Sequence, residues 1–525
     1  MQGHQTQIGK NLIQILMFSM YPDAKMIYRE YIQNAFDAII EAHRKAILSQ
    51  VKDGQVSVLV NSKERVAVVK DNGIGIPSNQ VATKLLNIAD SYKDGVSSAG
   101  QYGIGRLVGL RFCDKLIFRT SAKGEPICSE VVFDSQKASA ILQDQNDHRS
   151  ATEVIDAITT LSTKDWDTDD HHFEVCLEGV KESYSDLLNV DVITQYLAQV
   201  APIDYSMLFK TLILKPSLES EELESLCSNV KHIKLSINDK LDVRKGYETK
   251  IDGTGDEIKS LEFMKFEDAD YGLLAWGWYA ITAFTKNIPI SDKNRGIRLR
   301  KQNIQIGNAE LLNKYFDEAR GNNYFYGEIF AVHPELRPTS ARDSLAPTPE
   351  ALRFFDILKL KFKELKALYH LANEAKSAEK DINFGRRVIG DPVNTKEHVV
   401  AQTKIDEGQE KLNKLGNKST GQTAAGQKVL DIYQTRVQKN DVQSNASAQP
   451  QLTTDIQQKP IAKTPIQTTP ETVVSDILEP LKTKISIDEL KLVRRIFASL
   501  SKNCPTANRE LIEKLKKQIV KDLSK

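Results

Sequence analysis

Three short motifs in the first 105 residues combine chemically capable residue types with spacings that gather them. Glu30, Asn34 and Asp37 stand at i, i+4 and i+7, and at about 100° per residue they share one stripe of a helix. Around them the helix is apolar: Ile27, Tyr31, Ile32, Ala35, Phe36 and Ile39. Such a polar line either faces a functional pocket or polar network, or is the solvated face. The second motif is Asp71-Asn72-Gly73-Ile74-Gly75-Ile76-Pro77. Two glycines at i and i+2 let the backbone pass close to a flat ring. A buried carboxylate accepts a hydrogen bond from an exocyclic amine such as that of adenine. Read alone, Asp-Asn-Gly is also a common turn. The third motif, Gly100-Gln101-Tyr102-Gly103-Ile104-Gly105, opens a helix-like stretch from Arg106 to Phe112. Backbone N–H groups at a helix start behind glycines suit phosphates. The spacing is not that of a dinucleotide fingerprint, and no GK[ST] follows to make a Walker A loop.

The elements that must hold these motifs are legible around them. Residues 26–50 form a long helical pattern free of Gly and Pro, and QVSVLV and RVAVVK alternate as strands. After the Asp-Asn-Gly break come a helix-like SNQVATKLLNIAD, the glycine loop, and strand-like KLIFRT, EVVF and TEVIDA. Helices mixed with mainly antiparallel strands predict an α+β sandwich over residues 1–185. A second α/β unit is expected over 186–380, marked by GLLAWGWYAIT, GIRLRKQNIQIG, NNYFYGEIFAV and a long amphipathic helix from Pro349. Residues 381–475 turn polar and are expected to be a disordered linker, because so few apolar groups cannot offset the entropy of ordering. Residues 476–525 read as a small helical hairpin broken near Asn503–Pro505. No internal repeat is visible.

Composition narrows the classes. A chain of 525 residues should hold two or three folded units. With 71 Lys+Arg against 70 Asp+Glu, the formal charge of +1 lacks the field of a dedicated nucleic-acid binder. The five cysteines, Cys113, Cys128, Cys176, Cys227 and Cys504, show no CxxC spacing, which argues against a zinc site or a disulfide framework and fits a reducing cytoplasm. The N-terminus lacks the basic flank and cleavage site of a signal peptide. No run approaches the ~18–20 apolar residues of a membrane span, so a soluble protein is expected.

Taken in order, E-x3-N-x2-D on a helix, DNGIGIP and GQYGIG before a helix resemble the GHKL superfamily, which includes gyrase, the ninety-kilodalton heat-shock chaperone, histidine kinases and MutL. The stretch IGKNLIQILMFSMYPDAKMIYREYIQNAFDAI has the layout of the chaperone branch. The resemblance implies a Bergerat two-layer α/β sandwich followed by an α/β transducer or middle domain, and an ATPase using ATP and Mg²⁺. It also implies roles for single residues. Glu30 would be the general base and Asn34 the Mg²⁺ ligand. Asp37 would line the nucleotide site, and Asp71 would bind the adenine amine. Gly73 and Gly75 would let the ring approach, and Thr152 in SATEVI would support Asp71 through water. Residues 78–99 would be the ATP lid, with Asn87, Ser91 and Lys93 reaching the nucleotide. Gly100, Gln101, Tyr102, Gly103, Ile104 and Gly105 would cradle phosphate. In HPELRPTSARDSLAPTP, Arg342 would reach the γ-phosphate, with Arg337 second choice. The family's C-terminal dimerisation domain is not recognisable.

Two functions follow. One is a molecular clamp whose N-terminal domains self-associate on ATP binding and remodel a protein client. The other is a MutL- or microrchidia-like ATPase acting with nucleic acid or an effector, with Lys491, Arg494, Arg495 and Lys514–Lys517 as an adaptor.

Overall fold

The computed structural model describes residues 8–18, 23–87, 105–390 and 395–446. In chain order, α1 (Asn11–Phe18) and α2 (Met26–Arg44) precede β1 (Gln55–Asn61), β2 (Val66–Asp71) and the short α3 (Val81–Leu86). Then come β3 (Lys115–Ser121), β4 (Ile127–Asp134), α4 (Ser135–Gln143), α5 (Ala151–Ile158), β5 (Thr159–Asp165), β6 (His172–Glu178) and α6 (Val190–Val200). After them, α7 (Met207–Phe209) and α8 (Lys215–Ser217) flank one π-helical turn, and α9 (Glu221–Ser228) leads into β7 (Lys234–Ile237) and β8 (Leu241–Asp242).

These strands make one eight-stranded sheet in the order β5-β4-β3-β6-β2-β1-β7-β8. Every pairing is antiparallel except β1 with β7. The core face is set by alternation. Ala67 and Val69 of β2, Val175 and Leu177 of β6, and Leu116 and Phe118 of β3 are all buried. They join one core with Ile27, Tyr28, Tyr31, Ile32, Ala35, Phe36 and Ile39 of α2. Each valine, leucine, isoleucine or phenylalanine among them, removed from water, stabilises the fold by ~1.5–3 kcal/mol, which fixes α2 across the sheet. The mixed α+β sandwich expected from the sequence is the one observed.

Three expectations need correction. TEVIDA is helix, not strand: Ser150 accepts from the Glu153 amide while the Glu153 carboxylate accepts from the Ser150 amide, a capping box that starts α5. The signal was S-A-T-E itself, which outweighs the β-branched residues after it. Nor does the first sheet end where a unit boundary at 185 would put it, because β7 and β8, from residues 234–242, extend it beyond β1.

The third correction concerns the segment expected to be a disordered linker. A five-stranded sheet of β11 (Ser260–Asp268), β12 (Gly272–Ile281), β13 (Gly296–Lys301), β14 (Ile304–Ile306) and β15 (Tyr326–Ala331) runs in the order β11-β12-β15-β13-β14, after a ribbon of β9 (Lys250–Ile251) and β10 (Asp256–Glu257). The long α10 (Pro349–Ile389) opens with Thr348 as N-cap and proline in its first turn. It packs on this sheet together with α11 (Thr395–Gly416) and α12 (Ala424–Ala446). Residues 395–416 and 424–446 are therefore helical. Their few apolar side chains fall at helical spacing, so Leu412, Leu415, Val429, Leu430, Tyr433 and Val437 are buried in the core of the second sheet. A sparse stripe suffices when α10 supplies the opposing surface. Residues 447–475 and the expected hairpin at 476–525 lie outside the described residues.

The two sheets are tied through a buried ionic cluster. Glu328 of β15 is fully buried and accepts from Lys245, Arg300, Tyr205 and Tyr247. Burial alone would raise its carboxyl, but Arg300 and Lys245 hold it down at about 2. Arg300 also donates to the Gln199 carbonyl at the end of α6, and Asn303 donates to the carbonyls of Ile203 and Lys231. Arg300 of β13 thus has a structural role.

The helical correction has a direct test. Tyr433 is fully buried and donates to the Ala283 carbonyl at 2.5 Å. Tyr433→Ala should cost ~3–5 kcal/mol in urea unfolding, whereas Gln434→Ala, on the exposed side of the same helix, should stay within about 0.5 kcal/mol. A neutral Tyr433→Ala would return this segment to an unstructured tail.

Candidate functional site

The site is built where the end of β2 meets α2. The Ile74 amide donates to the Ala38 carbonyl of α2 at 3.2 Å, and the Ile76 amide donates to the Thr120 hydroxyl at 2.8 Å. The Thr120 hydroxyl in turn donates to the His172 carbonyl, and the His171 ring nitrogen Nδ1 lies 2.7 Å from the Gly73 carbonyl oxygen. The 72–76 turn is thus strapped to the helix on one side and to β3 and β6 on the other. Gly75 has φ +67°, and a Cβ there would sit 2.0 Å from the Ser121 carbonyl oxygen. Only glycine can occupy that position.

Asp71 is 5 % exposed, and its Oδ1 accepts from the Gly73 amide at 2.8 Å. Burial pushes its carboxyl up from the ordinary 3.8 to about 7, against the pull of that amide and of Lys70. A desolvated carboxylate held this way gains much from a ligand N–H donor.

On α2, Glu30 is 8 % exposed and its Oε1 has no hydrogen-bond partner among the described residues. The adjacent Arg29 has its Nη2 3.9 Å from that oxygen and donates from the same nitrogen to the Ala341 carbonyl at 3.1 Å. A loop 312 positions away in sequence is therefore fastened beside Glu30. The loop carries Arg342, which is buried and has φ +54°. Its carbonyl accepts from the Gly307 amide at 2.7 Å. Arg337 is paired with Glu335, its near neighbour in the same loop. Asn34 is half-buried and Asp37 buried on the same helix.

Glu30, Arg29 and the Arg342 loop are thus one cluster, and Asp71, Gly73 and Gly75 another, both resting on α2. Gly105 starts a 3₁₀ turn rather than an α-helix, Gly105–Arg111, which packs against α2; the Gly109 amide donates to the Tyr31 hydroxyl. Asn87 is exposed after α3, and its carbonyl accepts from Arg106. Ser91, Lys93, Gly100, Gln101, Tyr102, Gly103 and Ile104 lie outside the described residues.

Thr152 does not support Asp71. It is exposed on α5, and the threonine that braces the turn is Thr120. Sequence reading missed it because the link passes through strand register, Thr120 opposite Phe173 and Phe173 opposite Asp71. Arg29 was missed too. Its signal was a charged residue on the apolar side of α2, where an arginine is buried only with a partner.

Asp71 should leave a signature in stability. A carboxyl raised from 3.8 to about 7 keeps a proton in the folded state that the unfolded chain has released. The stability this contributes is complete below about pH 4 and is lost as pH rises through 7. Relative to Asp71→Asn, the wild type without ligand should lose on the order of 1 kcal/mol per pH unit between pH 5 and 7, read from urea midpoints. A pH-independent difference would contradict the buried carboxyl.

Residues 25–168 match the family described as histidine kinase-, DNA gyrase B-, and HSP90-like ATPase. Among curated proteins, the chain is 27% identical over 201 residues to the chaperone protein HtpG of Clostridium perfringens, covering 35% of this chain and 32% of that one. It is 27% identical over 209 residues to that of Idiomarina loihiensis, covering 36% and 32%. It is 30% identical over 132 residues to that of Halalkalibacterium halodurans, covering 22% and 21%. The chain spans about a third or less of the length of these relatives. The matched segment contains α2, the Asp71–Gly75 turn and β3, so the part of the chain that carries the site is similar to the GHKL-type ATPases and to the HtpG chaperones.

Proposed function

We propose that this protein binds ATP between α2 and the Asp71–Gly75 turn and hydrolyses it to ADP and phosphate, as the engine of a chaperone-like clamp. The observation that carries the reading is the buried Glu30 Oε1, which accepts no hydrogen bond among the described residues, beside a loop brought in from the second sheet. A buried carboxylate oxygen with no hydrogen-bond donor is costly unless it serves a reactant. Here the reactant is water. Glu30 takes its proton as the oxygen attacks the γ-phosphorus, the bond from that phosphorus to the β–γ bridging oxygen breaks, and ADP leaves. Arg342 offsets the charge that develops on the transferring phosphoryl group. Asp71 accepts from the adenine amine, and Gly75 leaves room for the ring.

Among the described residues no cluster of three or more His, Cys, Asp or Glu could hold a metal by itself. The chemistry of the donors fits Mg²⁺ all the same, since that ion is commonly held by few protein ligands together with substrate phosphates. Asn34, one turn beyond Glu30, is the residue that would hold it. The ion would supply charge neutralisation on the phosphates.

Arg29 fixes the Arg342 loop to the helix of the base, so the state of the nucleotide is coupled to the second sheet. We assign residues 1–185 together with β7 and β8 to the nucleotide-binding part, and the second sheet with α10 to the transducer. ATP-driven self-association of the nucleotide-binding parts and action on a protein client complete the clamp. Among the described residues no helix is long and apolar enough to cross a membrane.

Glu30→Ala should lower turnover by about 10²-fold or more while leaving ADP affinity within a few-fold. Asp71→Asn should weaken ADP binding. Arg342→Ala should cost on the order of 10²–10³ in turnover at unchanged affinity. Full turnover by Glu30→Ala, with phosphate release followed directly, would remove the base from this mechanism. Sizing with a non-hydrolysable ATP analogue should show a larger species than with ADP.

A further inference from the structure

The row of side chains across the sheet at the open end of the core is Asp71 on β2, Phe173 on β6, Thr120 on β3 and Ser129 on β4, each directly opposite the next. Directly opposed residues in antiparallel strands point to the same face, with Cβ atoms about 4.5–5.5 Å apart. Asp71, Thr120 and Ser129 are buried, but Phe173 is only partly so. The next row inward, Val69, Val175, Phe118 and Val131, is closed. The Phe173 ring rests on Phe118, centroids 5.7 Å apart, and Phe173 stands directly opposite Asp71 in the strand register. The Thr120 hydroxyl is committed to the Ile76 amide and the His172 carbonyl. The polar group expected to brace Asp71 through water, Thr152, is on the exposed side of α5.

We infer that Phe173 is the wall of the nucleobase pocket and a determinant of base choice, with Asp71 the polar reader of the ring edge. The inference rests on Asp71 being the base-binding residue. An aromatic ring beside the carboxylate excludes the water or hydroxyl that would otherwise solvate it and offers an apolar face to a purine. One acceptor over an apolar wall selects a base with an amine at that edge. A base presenting a carbonyl oxygen there, as guanine does at its six-position, meets a carboxylate with no donor to turn to. The burial that raises the Asp71 carboxyl agrees with such a dry wall, and loss of its proton makes it a stronger acceptor for an amine. Other titratable groups beside the turn are Lys70, His171, the His172–Asp170 pair at 3.1 Å, Glu174 with its partner Arg119, and Glu125, which accepts from the Ser78 amide. All remain in every variant below.

The test is calorimetric titration of the full chain with ADP and with GDP between pH 5.5 and 8.5. Wild type should bind ADP more weakly as pH falls through about 7, by up to about tenfold per pH unit. Phe173→Thr should move that midpoint down by about one pH unit and narrow the ADP-over-GDP preference several-fold, whereas Phe173→Leu should hold the midpoint. Phe173→Tyr, which keeps the ring and adds a hydroxyl, reads the same effect should the threonine variant melt early. Identical midpoints and preferences in wild type, Phe173→Thr and Phe173→Tyr would overturn the inference. If Asp71→Asn binds ADP as wild type does, it is the underlying base-recognition reading that fails.

Discussion

Everything at this site hangs on a turn held from both sides by backbone. The Ile74 amide reaches down to the Ala38 carbonyl of α2, and the Ile76 amide is caught by Thr120 of β3. Between them Gly75 passes so close to the Ser121 carbonyl that no side chain fits. These contacts make the distance between α2 and the sheet a fixed quantity at this point. With it they fix the relation between the helix that carries Glu30 and the carboxylate at the end of β2. Loosening the turn would misplace both halves of the site at once, although neither half touches the other directly through hydrogen bonds.

The second sheet is attached in a different way. Its tie to the first is electrostatic and buried, centred on Glu328, which four cationic or phenolic neighbours keep ionised and satisfied. Buried ion clusters contribute little net stability, yet removing one member leaves a charge stranded. Such a cluster specifies one arrangement rather than deepening it. The Arg29 contact to Ala341 is the opposite kind, a single hydrogen bond between a side chain and a loop carbonyl. It can break and re-form at modest cost. The rigid joint and the breakable contact together suit a part that moves as a unit against the nucleotide helix.

The sequence made the site's charged and glycine residues legible because each carries a cost that only a function offsets. Carboxylates at 30 and 71 sit amid apolar runs, and glycines at 73 and 75 follow a strand. The strands β1 to β4 and β12 to β15, and the start of α10, were legible from alternation and helical period. What escaped was set by partners distant in sequence. Thr120 and Phe173 acquire their meaning from strand register, which no local pattern prints. α11 and α12 looked too polar to fold until α10 gave their few apolar residues a surface. Thr152 was misread for a local reason, since the Ser150–Glu153 capping box turned an apparent strand into a helix.

The parallel pairing of β1 with β7 makes the nucleotide-binding sheet dependent on chain that arrives some 170 residues later. During synthesis, β1 stands as an open edge with half of its backbone donors and acceptors unspent until residues 234–237 emerge. An edge of that kind is a template for any other extended strand, including the same strand of a neighbouring nascent chain. Cutting the gene after β6 to obtain a minimal ATP-binding fragment would make that transient edge permanent, and where such a fragment begins and ends is decided by this pairing more than by any boundary in composition.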